Sequence, residues 1–160
     1  MLLENYDPTV PPGYAGNKEE ITEVFYDINF KSVKQVSEQK MHLTLNLFEY
    51  TEWVDSRLAY QDDPRFDVYL KKDRIDLSKD RFSFWLPNMG YTEINQISNS
   101  TEVAYLYPNG TVMFYRKLSI TFTCPFDFRM IPNDNHNCNS VTYIQNADVK
   151  QAVLVLKNKF

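Results

Sequence analysis

Two cysteines have the spacing with the clearest chemical consequence. Cys124 and Cys138 enclose thirteen residues directly after an alternating strand pattern, and the chain has no C-x-x-C pair. Two cysteines cannot form a zinc site by themselves. The spacing therefore predicts a disulfide bridge, the alternative being two unrelated buried thiols. Closing such a loop would stabilise the fold by roughly 3 kcal/mol and would indicate an oxidising compartment, hence a secreted chain or a cell-surface ectodomain.

Aromatic side chains that alternate away from an apolar strand face are the second candidates. In one predicted strand Phe48 and Tyr50 lie opposite a run of leucines, and in another Met113 and Tyr115 lie opposite the core positions. An aromatic ring attracts an ammonium group through a cation–π contact worth roughly 0.5–2 kcal/mol. Large rings on an otherwise polar face also mark interfaces. The alternative is that these rings only cover an exposed sheet.

The elements that would position these residues are strands. Alternating or continuous apolar patterns predict strands over 24–31, 41–50, 81–85, 103–107, 112–124 and 152–156. Asn109-Gly110 predicts a tight hairpin, and the unbroken apolar run at 152–156 predicts a strand buried on both faces. Many short strands without a long helical pattern predict an all-β sandwich. The Pro- and Gly-rich residues 1–17 predict a short helical start and an extended arm.

Composition narrows the function classes. A chain of 160 residues fits one domain, 1–160, and the net charge of −4 gives no electrostatic footprint for nucleic acid. No apolar run is long enough for a membrane helix, and no leader follows Met1, so an extracellular chain would have lost its leader. Asn99 and Asn109 begin possible glycosylation sequons.

No nucleophile, phosphate loop, cofactor fingerprint or metal-spaced cluster is visible in the sequence. We therefore expect no enzyme activity, no cofactor and no metal site. The acidic residues Asp62, Asp63 and Asp67 fit a solvated loop better than a calcium site.

Three motifs in order resemble a known family. Trp53-Val54-Asp55-Ser56-Arg57-Leu58 resembles W-x-D-x-R-L, Trp85-Leu86-Pro87-Asn88 resembles W-x-P-D with Asn for Asp, and Cys124 to Cys138 resembles a signature loop with Pro132 and Asp134. Together they resemble the extracellular domain of the Cys-loop receptors, the pentameric ligand-gated ion channels, and the related acetylcholine-binding proteins. The resemblance implies an immunoglobulin-like β-sandwich. We expect Trp53 and Trp85 in the core, and Asp55 with Arg57 as a structural ion pair.

The resemblance also implies a function. Family members form rings of five subunits and bind a small ligand between neighbouring subunits. We therefore expect this chain to form a homo-pentamer that gates a channel, through a membrane domain absent from this chain. One wall would comprise Phe48, Tyr50, Tyr105, Met113 and Tyr115, and the opposite wall Tyr91, Tyr143 and Gln145. The family continues beyond Leu156 into two further strands and four membrane helices, so the sandwich is expected to lack its last strands. The alternatives are a soluble binder without a channel and a shortened assembly protein without a ligand.

Overall fold

The computed structural model describes residues 5–15, 19–80, 83–130 and 133–157, except the side chains of residues 99 and 100. A 3-10 turn spans Pro12–Tyr14, in the arm predicted to start with a short helix. Among the described residues the strands are β1 (Thr22–Ser37), β2 (His42–Val54), β3 (Ile75–Asp76), β4 (Met89–Tyr91), β5 (Ile94–Leu106), β6 (Thr111–Thr123), β7 (Thr142–Ile144) and β8 (Ala152–Leu156). Helical turns span Ser56–Leu58 and Pro64–Phe66, and α1 spans Asp67–Leu70.

The strands form two packed sheets. The large sheet has the order β3-β5-β6-β2-β1-β8, in which β8 runs parallel to β1 and the other neighbours are antiparallel. The small sheet pairs β4 with β7 and packs through Met89 and Tyr91 on the inner face of the large one, against Leu47 and Ile120. This arrangement confirms the predicted all-β sandwich.

Strand alternation decides which face is buried. Along β2 the residues Leu47, Glu49, Thr51 and Trp53 are buried, while the residues between them are only half-buried. Trp53 is fully buried and meets Trp85 edge to face, with ring centroids 5.7 Å apart, so the predicted core position of both tryptophans is confirmed.

The W-x-D-x-R-L motif anchors the N-terminal arm. Arg57 binds both carboxylate oxygens of Asp55, at 2.8 and 2.7 Å, which confirms the predicted ion pair. The hydroxyl of Tyr6 donates to Asp55 Oδ2 (2.6 Å) and accepts from Arg57 Nη2 (2.8 Å) and the backbone N–H of Trp85 (3.0 Å). Burial and the hydrogen bond to Asp55 raise the pKa of Tyr6, so it stays a neutral donor.

The predicted hairpin is present and its glycine is required. Gly110 has φ +85°, a conformation that L-residues rarely adopt. Its N–H bonds the carbonyl of Tyr107 (3.0 Å), and its own carbonyl accepts from Asp55 N–H (2.9 Å). The turn between β5 and β6 therefore also supports the start of the W-x-D-x-R-L segment.

Two strand predictions are wrong. Residues 83 and 84 form a bend and residue 85 is irregular. Phe84 and Trp85 are both buried, which a strand with one core face does not allow; residues 81–82 lie outside the described part. β8 is not buried on both faces: within the described residues it pairs only with β1, and Leu156 is 73% exposed. A continuous apolar run cannot by itself distinguish a central strand from an edge strand, because neighbours are set by the tertiary fold.

Candidate functional site

The outer face of the large sheet carries four aromatic side chains and one methionine, here called the outer wall: Phe48, Tyr50, Tyr105, Met113 and Tyr115. Tyr50 in β2 lies opposite Tyr115 in β6, and the ring of Phe48 stacks on Tyr115 with centroids 5.2 Å apart. These rings are half-buried on a single chain. Phe48, Tyr50 and Tyr115 line a cavity of about 450 Å³ together with Asp27, Asn29, Lys31 and Lys157.

The same wall continues toward the β5 edge of the sheet. Met113 lies opposite Tyr105 in β5 and opposite Glu52 in β2. The register therefore brings all five side chains that were predicted for one wall onto one face.

Cations of the same chain lie over the outer-wall rings. Lys31 Nζ is 4.8 Å and Lys117 Nζ is 6.0 Å from the Phe48 centroid, and Lys157 Nζ is 4.9 Å from the Tyr50 centroid. The guanidinium carbon of Arg74 lies 4.1 Å from the centroid of Tyr105. Such contacts stabilise by roughly 0.5–1 kcal/mol each at exposed sites.

One ion pair fixes Tyr50. Its hydroxyl donates to Glu52, and Lys157 Nζ lies 2.7 Å from Glu52 Oε2 and 3.3 Å from the Tyr50 hydroxyl. Burial and the hydrogen bond to Glu52 raise the pKa of Tyr50 to about 12. Burial alone would raise the pKa of Glu52, but the hydrogen bonds from Lys157 and Tyr50 lower it. Tyr50 is therefore neutral and Glu52 charged at neutral pH.

A buried polar cluster lies directly behind the outer wall. Glu49 is 1% exposed and lies opposite Arg116, which donates to its carboxylate. Tyr91 also donates to Glu49, and Arg116 Nη2 donates to the Tyr91 hydroxyl (3.0 Å). Burial and the Glu49 charge raise the pKa of Tyr91, while the same charge raises the pKa of Arg116 against the effect of burial.

Sequence reasoning did not identify this cluster. Arg116 interrupts the apolar face of β6, and Glu49 similarly follows Leu47 on the buried face of β2. Two opposite charges on the core faces of neighbouring strands indicate a buried ion pair from the sequence alone, because a buried charge requires a partner. That Glu49 pairs with Arg116 depends on the β2–β6 register, which the local sequence pattern does not specify.

The disulfide prediction is confirmed. Cys124 and Cys138 are bridged, with their Cα atoms 5.1 Å apart. Inside the loop the ring of His136 meets the edges of Phe126 and Phe128, both at 5.2 Å between centroids. Asp134 accepts from Met130 N–H (2.7 Å), whereas Pro132 lies outside the described residues.

The family description "Neurotransmitter-gated ion-channel ligand binding domain" matches residues 1–158. The chain belongs to this family. It is also similar to the gamma-aminobutyric acid receptor subunit beta-4 of Gallus gallus, with 29% identity over 142 residues. That alignment covers 86% of this chain and 27% of the relative, so the chain spans about a quarter of the length of that subunit.

Family membership fits the general receptor-like interpretation of the sequence, and the family is one of receptor domains and not of enzymes. The described residues contain no helix with the length and apolarity needed to cross a bilayer. They also contain no cluster of three or more His, Cys, Asp or Glu side chains suited to a metal ion.

The residues predicted for the opposite wall of this ligand-binding domain are divided between two faces of the small sheet. Tyr143 lies opposite Gly90 in the β4–β7 pair, and Gln145 N–H bonds the carbonyl of Asn88 (2.7 Å). A Cβ at Gly90 would lie 2.7 Å from both the Tyr143 ring and the Gln145 side chain, so these two share one face. Tyr91 is 9% exposed and points into the interior cluster instead.

The two sequons lie on β5 and in the adjoining turn. Asn109 is exposed, and its side-chain oxygen accepts from Thr111 N–H (3.0 Å). Asn99 belongs to β5, but its side chain lies outside the described part. Glycosylation at either position stays a prediction. Pro87 in the W-x-P-N motif is buried directly before β4.

Proposed function

We propose that this chain is an extracellular receptor domain that assembles into a ring of five, binds a small ligand between subunits and passes the bound state to a channel. The observation that carries the proposal is the outer wall: stacked Phe48 and Tyr115 beside Tyr50 along an open cavity of about 450 Å³. Large rings left half-buried on one chain are typical of surfaces completed by a partner.

The second wall would come from a neighbouring copy. Tyr143 is 44% exposed and lies beside Gln145 over Gly90, so both side chains are accessible to a subunit or ligand. The disulfide supports an extracellular setting, since such bridges persist in oxidising compartments. Binding would shift a channel only if the ligand has different affinities for the closed and open states.

A second candidate is an assembly subunit that binds no ligand. It is favoured by Tyr91, whose hydroxyl is held inside the sandwich by Glu49 and Arg116. An opposite wall without this ring would offer fewer aromatic contacts to a cation. The soluble binder without a channel shares the ligand site with the first proposal and differs from it only in having no pore to open.

Ligand titration distinguishes these candidates. Small amines and amino acids would be titrated against the oxidised chain, the Tyr115→Ala variant and the control Tyr69→Ala, which removes an exposed tyrosine on α1. We expect saturable shifts of the outer-wall NMR signals that weaken in Tyr115→Ala and persist in Tyr69→Ala. Saturable binding that both variants retain would contradict the site; no saturable binding would favour the assembly subunit.

A further inference from the structure

The turn between β5 and β6 combines a glycosylation sequon with an aromatic residue. Its sequence is Tyr107-Pro108-Asn109-Gly110-Thr111. Asn109 begins the sequon and Thr111 supplies its hydroxyl, and the residue between them is not a proline. Tyr107 stands two positions before the acceptor asparagine. Whether the ring and the asparagine meet depends on the conformation of the turn.

The backbone of this turn has a defined conformation. Gly110 N–H donates to the carbonyl of Tyr107 (3.0 Å), and Tyr107 N–H donates to the carbonyl of Thr111 (2.8 Å). Gly110 follows with φ +85°. A β-turn that ends in a left-handed glycine is the usual form of a three-residue hairpin loop with a bulge. Tyr107 and Thr111 therefore lie directly across the loop from each other.

Contacts with the preceding segment hold the turn in place. The carbonyl of Pro108 accepts from Tyr60 N–H (2.9 Å), and the carbonyl of Gly110 accepts from Asp55 N–H (2.9 Å). Gly110 is buried, whereas Asn109 is exposed. The segment 55–61 thus binds the backbone of the turn and leaves the Asn109 side chain accessible from solvent.

The Asn109 side chain is oriented by its own turn. Its Oδ1 accepts from Thr111 N–H (3.0 Å). The amide oxygen is therefore directed back to the turn, and the amide nitrogen is the branch left toward solvent. That nitrogen is the atom to which an N-linked glycan is attached, and such glycans require a surface position.

The ring of Tyr107 lies on the outer face beside the turn. Tyr107 is half-buried, and its hydroxyl is 4.0 Å from Met113 Sδ. Residues that face each other across neighbouring strands share a face of the sheet. An aromatic ring is a large, rigid apolar surface. The C–H face of a pyranose sugar is also apolar, so a sugar on Asn109 would have a matching surface two residues away.

We propose that Asn109 carries an N-linked glycan whose first sugar packs on the ring of Tyr107. In the transfer, the Asn109 amide nitrogen forms a bond to the anomeric carbon of an oligosaccharide held on a lipid pyrophosphate. The bond from that carbon to the pyrophosphate oxygen breaks, and the lipid pyrophosphate leaves with the electron pair. One amide proton goes to a base, and nothing is oxidised or reduced. The Cys124–Cys138 bridge supports passage through the oxidising compartment that holds this donor.

The glycan would stabilise the hairpin. Sugar and ring bury apolar area against each other only when the turn is formed, so the contact favours the folded state. The backbone groups of Asp55 and Tyr60 depend on the same turn for their hydrogen bonds. The gain should therefore appear in the melting of the whole chain.

Peptide mapping tests the modification. The chain would be secreted from a eukaryotic host that adds high-mannose glycans, then trimmed by an endoglycosidase that leaves one N-acetylglucosamine on each occupied asparagine. We expect this sugar on Asn109 in the wild type and in Thr111→Ser, and its loss in Thr111→Ala. The sugar also distinguishes a glycan from deamidation of the Asn-Gly pair. An unmodified Asn109 in the secreted wild type would overturn the proposal.

Melting temperatures test the contact between sugar and ring. Thr101→Ala changes an exposed residue and removes the first sequon, so that Asn109 begins the one sequon left in the sequence. In this background, the chain trimmed to one sugar should melt about 2–4 °C above the chain from which an amidase has removed the whole glycan. The amidase converts Asn109 to aspartate, whose carboxylate can still accept from Thr111 N–H.

Two ring variants assign the stabilisation to Tyr107. Tyr107→Phe keeps the ring, loses the hydroxyl contact to Met113 and should retain the difference between the trimmed and deglycosylated chains. Tyr107→Leu removes the ring and should abolish most of that difference. An undiminished difference in Tyr107→Leu, or no difference in the wild-type ring, would overturn the sugar–ring contact. None of these outcomes depends on a ligand or on assembly, so the proposed function is tested separately.

Discussion

At the scale of single residues, Glu49 and Arg116 form a buried ion pair at a position where two apolar side chains could also pack. Their side chains are 1% and 14% exposed, and Tyr91 supplies a further hydrogen bond. A buried pair costs desolvation free energy that its attraction offsets only in good geometry. The stability of the fold therefore depends on keeping both partners or neither.

We expect Glu49→Leu to lower the free energy of unfolding by about 3–5 kcal/mol, because Arg116 would remain buried without its anion. The double variant Glu49→Leu/Arg116→Leu should recover part of that loss, because no buried charge is left unpaired but the buried Tyr91 hydroxyl loses Glu49 and Arg116 as partners. Urea unfolding followed by the fluorescence of buried Trp53 and Trp85 would measure both. A double variant as unstable as the single one would contradict this dependence on paired charges.

The Tyr50–Glu52–Lys157 contact should give a contribution to stability that depends on pH. The fold lowers the pKa of Glu52 below its ordinary value of 4.5. The stability that Glu52 contributes is therefore present above pH 4.5 and is lost as the pH falls through the lowered pKa. The pKa of Lys157 is raised above its ordinary value of 10.5, chiefly by the hydrogen bond to Glu52. The stability that Lys157 contributes is therefore present below pH 10.5 and is lost as the pH rises through the raised pKa.

Lys157→Met should therefore destabilise the chain by about 0.5–1 kcal/mol at neutral pH, since the pair is partly exposed. The difference from the wild type should shrink as the pH falls below 4.5, through the lowered pKa of Glu52, and again as the pH rises above 10.5, through the raised pKa of Lys157. Urea midpoints measured across this range would check it. A difference that is constant with pH would mean that the ion pair does not contribute.

At the scale of elements, strand parity alone was sufficient to place four of the five outer-wall residues on one face, whereas Tyr105 was assigned to the wall by the family resemblance. The leucines of β2 and the apolar positions of β6 fix which side is inward, and Phe48, Tyr50, Met113 and Tyr115 must then point outward. Parity could not show that Lys31 stands over Phe48. Lys31 lies at a β-bulge in the β1–β2 register, a property of strand pairing that no local pattern specifies.

The same limit explains Tyr91 and the 83–85 segment. Tyr91 and Tyr143 were both candidate rings, but the β4–β7 register turns one inward and the other outward. Phe84 and Trp85 fitted a strand pattern because they are apolar and aromatic, yet a bend buries both against the core. Burial of successive residues requires packing from two sides, which depends on elements distant in sequence.

Tyr6 is one anchor of the N-terminal arm, beside the hydrogen bonds from Arg57 to the carbonyls of Asp7 and Val10. We expect Tyr6→Phe to cost about 1–3 kcal/mol, because fully buried Asp55 and the N–H of Trp85 lose a partner. Tyr14→Phe is the matched control, since Tyr14 makes one exposed hydrogen bond to the carbonyl of Lys150 (3.0 Å). Calorimetry on the two variants would compare them. Equal melting temperatures would contradict the anchoring role of Tyr6.

The disulfide loop is the other element with a predictable energy. The two cysteines lie 14 positions apart in the sequence. Cys124→Ser/Cys138→Ser should lower the free energy of unfolding by roughly 3 kcal/mol, because the unfolded chain would no longer be restricted by this closed loop. Reduction of the wild type should give the same change. A loss under about 1 kcal/mol would indicate that the loop is structured without its bridge.

At the scale of the whole molecule, apolar surface remains at the end of the sandwich where β1 meets β2. Phe30 and Val33 are 62% and 61% exposed, and a cavity of about 260 Å³ lies on the inner face there, lined by Leu43, Leu45 and Phe122 among others. Exposed apolar patches mark association surfaces. The outer wall and this patch together predict that the chain does not stay monomeric.

The most direct measurement is the solution mass of the oxidised chain, by light scattering after secretion from a eukaryotic host. We predict a closed assembly of about five times the 18.9 kDa of one chain. Phe48→Glu should dissociate it, because a carboxylate would face the partner surface, whereas Tyr69→Glu on α1 should not. A monomer at micromolar concentration, or a mass that grows without limit, would contradict the claim that the outer wall is one side of a closed subunit interface.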